Sequence, residues 1–250
     1  MVATCHVGPL RRVILWMIVG LLSWEAARAA DGGISGRVLD AGGKPVAGVD
    51  VARFWSSSKE RMTALGKVST DVDGRFSIRA DESEQGGALL AFDADQQRGA
   101  LAVVSSNAPG EPLVMKLGPL VTVRGQFTCA ELGGPAGWCN AYFSLTNPDV
   151  RLVQSESSEA TFFAKLPPGD YKIHGYGGES VKGITTNLSL TASQPFVDLG
   201  KIDLQATPIG RVYGKPAPPW HVTDARGLPR NVQIADLRGK WVLLEFWGFW

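Results

Sequence analysis

The stretch that most strongly constrains the fold is ISGRVLDAGGKPVAGVDVARFW, residues 34–55. Val38, Val49 and Val51 mark an alternating apolar face, as the buried side of a β-strand requires. Between the two apolar parts lies AGGKP, a cluster of turn-forming residues. The pattern predicts two strands joined by a glycine turn, which is a hairpin-like opening to a β fold.

Further short apolar runs follow, and turn residues separate them. Phe76 and Ile78 alternate beyond a turn at Asp73 and Gly74, and the later runs cover residues 88–92, 100–104 and 113–117. Short strands at this spacing predict an all-β sandwich over residues 33–118.

Two motifs in this region resemble the carboxypeptidase regulatory-like domain. Residues 36–51 follow its opening form, G-x-V-x-D-x-x-G-x-P-[VL]-x-G-[AV]-x-V, and residues 70–76, TDVDGRF, follow its later turn, T-D-x-x-G-x-[FY]. The resemblance implies a β-sandwich that serves as an accessory or spacer module, and it implies no particular ligand.

The same order of motifs recurs downstream, which indicates an internal repeat. VRGQF at 123–127 corresponds to ISGRV at 34–38. In the same order, GGPAG at 133–137 corresponds to GGKPV at 42–46, and AYF at 141–143 corresponds to DVA at 50–52. The repeat predicts a second, more divergent sandwich over residues 121–205. The predicted fold class is therefore mainly β, with two tandem Greek-key-type β-sandwich domains and the incomplete start of an α/β domain.

Two aromatic groups at strand ends allow two interpretations. Phe54 with Trp55, and Tyr176 with the glycines after it, could form an exposed aromatic surface for a ligand. Aromatic residues at strand ends more often cover the edge of a hydrophobic core. We therefore expect a core role for these side chains.

The N-terminus predicts export. Arg11 and Arg12 precede an apolar run at residues 13–24, and small residues lead to Ala29, which is the pattern of a secretory signal peptide over residues 1–29. An uncleaved membrane anchor is the alternative. We expect a periplasmic, extracellular or cell-surface protein that meets the membrane only through its export signal.

The charge balance predicts no nucleic-acid partner. The whole chain has a formal charge of +1, and residues 1–29 carry Arg11, Arg12 and Arg28 against Glu25, so the mature chain has +1 − 2 = −1. A nucleic-acid-binding surface needs a basic excess.

Cys129 and Cys139 are the two cysteines left after export, and a structural disulfide is the natural prediction in an oxidising compartment. The glycine-rich segment between them would let two neighbouring strands face each other. A redox-active bridge and a metal site are the alternatives. His174 and His221 do not stand at ligand spacing, so no metal site is expected.

The last part of the chain predicts a different kind of unit. Residues 206–213 have the proline and glycine of a linker, and residues 234–237 predict one helical turn. RGKWVLLEFWGFW, residues 238–250, contains a nearly continuous apolar run, which predicts a strand buried on both faces of a parallel sheet.

Residues 214–250 resemble the N-terminal part of a thioredoxin-like domain, as found in thiol–disulfide oxidoreductases and thiol-specific antioxidant proteins. The matching segments are GKPAP at 214–218, TDARG at 223–227, LRGK at 237–240 and EFWGFW at 245–250. The resemblance implies a reactive C-x-x-C pair just beyond Trp250 and no bound cofactor. The printed chain by itself is then expected to be inactive.

Glu245 is the candidate catalytic residue. It matches the buried acid of thioredoxins, which the resemblance gives the role of exchanging a proton with a cysteine thiol, and burial would raise its pKa. Alternatively, Glu245 is hydrated or paired with Lys240 or Arg238.

Three functions follow from these patterns. The first is an exported thiol–disulfide oxidoreductase with accessory β-sandwiches, whose partners would be protein thiols or disulfides or a redox partner protein. The second is a non-catalytic cell-surface binding or structural protein. The third is a thiol peroxidase, which Trp250 disfavours because a small or aliphatic residue usually precedes the peroxidase cysteine.

Overall fold

The computed structural model of the protein describes residues 33–58, 60–79, 87–104, 112–136, 139–157, 159–216, 219, 221–243 and 245. The predicted signal peptide lies outside these residues. The described part is mainly β, which confirms that part of the predicted fold class. The first ten strands are β1 Ile34–Leu39, β2 Asp50–Ala52, β3 Trp55–Ser58, β4 Arg61–Thr63, β5 Val68–Ser69, β6 Arg75–Ile78, β7 Gly87–Phe92, β8 Arg98–Val104, β9 Leu113–Lys116 and β10 Gly118–Pro119.

The later strands are β11 Val121–Cys129, β12 Gly134–Pro135, β13 Cys139–Leu145, β14 Arg151–Ser157, β15 Thr161–Leu166, β16 Gly169–Gly177, β17 Ile184–Leu190 and β18 Phe196–Asp203. Short 3₁₀ helices cover Ala130–Leu132, Gly210–Val212 and Ile234–Leu237. The last of these confirms the helical turn predicted at residues 234–237.

The strands form four sheets. Sheet A has the order β6-β1-β9, and sheet B has the order β10-β8-β7-β2-β5. Sheet C is the largest, with the order β17-β16-β13-β14-β3-β4. In sheet D, β11 lies next to β12 and β15 and also pairs with β18.

The hairpin predicted at the opening is wrong, because β1 and β2 lie in different sheets. The tight turn is present, and the Asp40 carboxylate accepts a hydrogen bond from the Lys44 backbone N–H at 2.8 Å. The pairing ends after a single bridge between Leu39 and Pro45. The Val46 N–H still donates to the Val38 carbonyl at 3.1 Å, and Gly48, with φ of 69°, then turns the chain towards sheet B.

Strand β7 is buried on both faces, which makes sheet B a middle layer. Leu89 and Ala91 pack in a core shared with sheet A. Ala88, Leu90 and Phe92 point the other way and pack in a core shared with sheets C and D. Because a strand presents alternate residues to opposite faces, one strand joins both cores.

The β3–β4 hairpin connects the first predicted unit, residues 33–118, to the second, residues 121–205. It follows β2 of sheet B, but β3 pairs in parallel with β14, so that Trp55 lies opposite Val153 in sheet C. Trp55 is buried, and its ring contacts Phe92 edge to face with centroids 4.5 Å apart. The Trp55 indole N–H donates to the Leu90 carbonyl at 3.2 Å. The core role expected for Trp55 is confirmed, whereas Tyr176 is exposed.

A side chain caps the free edge of sheet C at β4. The Gln96 carboxamide accepts from the Met62 N–H at 2.9 Å and donates to the Met62 carbonyl at 2.6 Å. Gln96 therefore occupies the backbone groups that a further strand would use. Unpaired edges promote association between chains, so this contact protects the sheet.

Replacing Gln96 by alanine is expected to lower the free energy of unfolding by about 1–3 kcal/mol, because two hydrogen bonds are lost. The uncapped edge should also make the chain self-associate. Urea unfolding and sedimentation velocity at several concentrations measure the two effects. The neighbouring change Gln97→Ala is the matched control, and equal behaviour of the two variants would contradict the capping role.

Candidate functional site

The C-terminal stretch differs from its prediction. Trp241 and Leu243 are almost fully exposed, Val242 is exposed, and none of them lies in a strand. A strand of a parallel sheet needs hydrogen-bonding partners on its edges, and no described strand pairs with this stretch. Residues 244 and 246–250 lie outside the described part of the chain.

Glu245 is also exposed and lies outside any strand. The structure therefore does not bury it among apolar side chains as the sequence predicts. Glu245 is exposed because no described strand pairs with this part of the chain and covers it. Its proposed proton transfer stays a prediction.

The residues that lead into this stretch contain one local turn and one segment that contacts the β-sheet part of the chain. In the 3₁₀ helix Ile234–Leu237, the Asp236 carboxylate accepts from the Gln233 N–H at 2.9 Å. In the segment predicted as a linker, Arg211 forms an ion pair with Glu131 at 2.8 Å, and the Ala206 N–H donates to Glu131 at 3.2 Å. These contacts tie residues 206–213 to the loop after β11.

Cys129 and Cys139 are both buried and are free thiols in the structure. Cys129 ends β11 in sheet D and Cys139 begins β13 in sheet C, so the strands that carry them are not neighbours. A disulfide would join the two sheets across the core, rather than two adjacent strands as expected. The bond itself stays a prediction.

Burial, and to a smaller extent the nearby Cys129, raise the pKa of the Cys139 thiol to about 11. A reactive cysteine needs a lowered pKa, because the thiolate is the nucleophile. The environment of Cys139 therefore suits an inert core thiol and not a redox nucleophile.

At about pH 8, a thiol with a pKa near 11 is only about 0.1% thiolate, so iodoacetamide should label Cys139 at least about 100-fold more slowly in the folded protein than in urea. Stability should fall as the pH rises from about 9 to about 11, because the unfolded chain loses the proton first. Mass spectrometry of labelled peptides measures the rates. Fast labelling of the folded chain would contradict the burial, and labelling only after reduction would reveal the disulfide.

The outer face of sheet D carries polar groups along a cleft. Alternate residues of β11 point inward to the core, as Val121, Val123 and Phe127 do. The intervening residues point outward and align with those of both neighbouring strands. Three rows result: Lys165 with Thr122 and Phe196; Phe163 with Arg124 and Asp198; Thr161 with Gln126 and Lys201. We call these nine residues the sheet D face.

A cleft of about 720 Å³ runs along this face, and Ser57, Ser58, Glu60 and the end of β14 form its wall. The Ser57 hydroxyl donates to the Phe163 carbonyl, and the Ser155 hydroxyl accepts from the Phe163 N–H at 3.0 Å. The two hydroxyl oxygens lie 3.1 Å apart. These serines occupy the outward backbone groups of β15 and hold the wall against the sheet.

Arg124 stands at the centre of the face and contacts Asp198 and Phe196. Its Nε and Nη2 atoms each lie 3.0 Å from Asp198 Oδ2, and its guanidinium carbon lies 4.7 Å from the centroid of the Phe196 ring. The Gly200 N–H and then Arg124 lower the pKa of Asp198. Exposed ion pairs add little stability, so the effect of this cluster is to orient its side chains.

Sequence reasoning did not find the sheet D face. Its residues come from the three strands β11, β15 and β18, and the wall of the cleft beside it comes from β14 and from β3 and Glu60, which lie far away in the chain. The alternation in residues 121–127 indicates that Arg124 and Gln126 point outward, but it does not indicate their neighbours.

Among the described residues, no three His, Cys, Asp or Glu side chains are grouped so that they could hold a metal ion. In the same part of the chain, no helix has the length and apolar character needed to cross a membrane.

No family model matches the chain, and no curated protein matches it. Among solved structures, the Bacillus anthracis TIE protein is similar over 70% of this chain and 34% of its own, with 13% identity and a TM-score of 0.31. A streptococcal ancillary pilin is similar over 70% of this chain and 62% of its own, with 9% identity and a TM-score of 0.31. A putative adhesin from Bacteroides ovatus covers 88% of this chain, with 10% identity and a TM-score of 0.25. The chain spans less than two thirds of the length of the first two structures. Similarity this low does not indicate a function for this chain.

Proposed function

We propose that this chain is an exported, non-catalytic protein whose β-sheets serve as a binding and structural unit at the cell surface. The observation that carries the proposal is the interlocked core. Trp55 and Phe92, from the first half of the chain, pack in one cluster with the buried residues of sheets C and D. A unit packed in this way is suited to hold an open polar surface, the sheet D face, in a constant shape.

The test uses the purified chain and isolated cell envelopes of the source organism. Saturable binding to envelopes is expected, and neither alkylation of accessible thiols nor Glu245→Gln should change it. The chain should not reduce insulin disulfides. Absence of saturable binding, or binding that depends on thiols, would refute this function.

We further infer that residues 33–118 and 121–205 are two copies of a carboxypeptidase regulatory-like unit. Strand β1 lies between antiparallel β6 and parallel β9, and β11 lies between antiparallel β15 and parallel β18. Gly36 faces Phe76 in the first copy, and Gly125 faces Phe162 in the second. The copies differ in the β3–β4 hairpin, which the first unit contributes to the sheet of the second.

A thiol–disulfide oxidoreductase is the second candidate. The motif at 245–250 supports it, and so does the 3₁₀ helix Ile234–Leu237 just before that motif. The nucleophile would be a cysteine immediately after Trp250. Insulin reduction by a chain that continues beyond Trp250 tests this function, and a rate unchanged by Glu245→Gln would exclude the proton-transfer role.

A further inference from the structure

We propose that the sheet D face binds a neutral, hydroxyl-rich oligosaccharide. This inference rests on the proposed surface-binding function and names its ligand class. The cleft of about 720 Å³ is within the usual size of ligand sites. A second cleft of about 240 Å³ shares Glu60, Arg124 and Phe163 with it, so the two form one elongated surface.

Among the described residues that line the two clefts, the charges are balanced. The basic ones are Arg124, Lys165 and Lys201, and the acidic ones are Glu60, Glu156 and Asp198. A polyanion such as a nucleic acid requires a basic excess. A neutral ligand with many donors and acceptors fits alternating charges better.

Hydroxyl and aromatic groups of this surface also fit a sugar ligand. Ser58, Ser157 and Thr161 line the cleft with hydroxyls, and Gln126 adds a carboxamide. Phe196 is 44% exposed and lies at the end of the face. Sugar rings combine a rim of hydroxyls with an apolar C–H face, so they need polar groups beside an exposed aromatic ring.

The face is also preorganised. Asp198 and Phe196 hold Arg124, and the register of the three strands sets the spacing of the rows. Three strands and three rows cover about 10 by 13 Å, which is room for about two or three sugar rings. A peptide strand could not pair with the edge of β15 at Phe163, because Ser57 and Ser155 already form hydrogen bonds with the backbone of Phe163.

The experiment is calorimetric titration of the full chain with cellohexaose, maltohexaose and the hexamer of N-acetylglucosamine. At least one should bind saturably, and Phe196→Ala and Asp198→Asn should each weaken it about tenfold, the equivalent of one lost hydrogen bond or ring contact. Tyr176→Ala, an exposed aromatic residue of sheet C, is the matched control and should change nothing. Circular dichroism melting checks that each variant folds.

Three results would overturn the proposal: no binding of any neutral hexamer, binding that both face variants leave unchanged, or binding of heparin alone. The envelope assay separates this failure from that of the proposed function. If no hexamer binds while the Phe196→Ala variant retains full envelope binding, the proposed surface-binding function is supported and the proposed sugar site is refuted.

Discussion

Replacing Trp55 by alanine is expected to lower the free energy of unfolding by about 3–5 kcal/mol, the usual cost of removing a buried Trp side chain. Its ring fills the space between sheet B and sheet C, where it contacts Phe92 and donates to the Leu90 carbonyl. Because both halves of the chain use this contact, both should lose stability together.

Urea unfolding followed by far-UV and near-UV circular dichroism measures the effect. One shared transition is expected in the wild type and in the variant, at a lower midpoint in the variant. Phe54→Ala is the control, because Phe54 is the adjacent aromatic residue and is 38% exposed. Two separate transitions, with the second half at its wild-type midpoint, would show that the halves fold independently.

Replacing Gly125 by alanine is expected to destabilise the protein by about 1–3 kcal/mol through overpacking. A Cβ at Gly125 would lie 2.4 Å from the Phe162 ring, which is buried on the opposite strand. The ring packs directly over the glycine and against Phe127, with centroids 4.9 Å apart. It cannot move away without opening the core.

A double-mutant cycle tests the cause. Phe162→Leu should remove the ring atoms that clash, so Gly125→Ala should cost less in that background. Gly118→Ala is the matched control, because among the described residues no atom other than those of its chain neighbours lies within 4 Å of its Cβ position. Equal costs of Gly125→Ala in both backgrounds would exclude the steric explanation.

Local pattern predicted much of the fold. Apolar runs at 88–92, 100–104 and 113–117 became β7, β8 and β9 with shifts of one or two residues at their ends. The turn at 234–237 also formed as predicted. These features depend on alternation and turn chemistry, which neighbouring residues decide.

The β3–β4 hairpin escaped prediction because its strands are short and polar, with Trp55 and Met62 as their only large apolar side chains. Its partner β14 lies about 100 residues further along the chain, as the contact between Ser57 and Ser155 shows. The prediction of a buried strand differs from the structure at residues 241–243, for the opposite reason. Composition alone indicates a buried strand, but burial requires partner strands.

The sequence by itself determined the β class, the positions of most strands and which residues of each strand share a face, because strand geometry alternates side chains residue by residue. Only the tertiary structure decided that β1 and β2 separate into different sheets and that β7 is buried on both faces. It also decided that Arg124, Asp198 and Phe196 meet on an open face. These outcomes depend on contacts between residues far apart in the chain, where the packing of whole faces outweighs local preference.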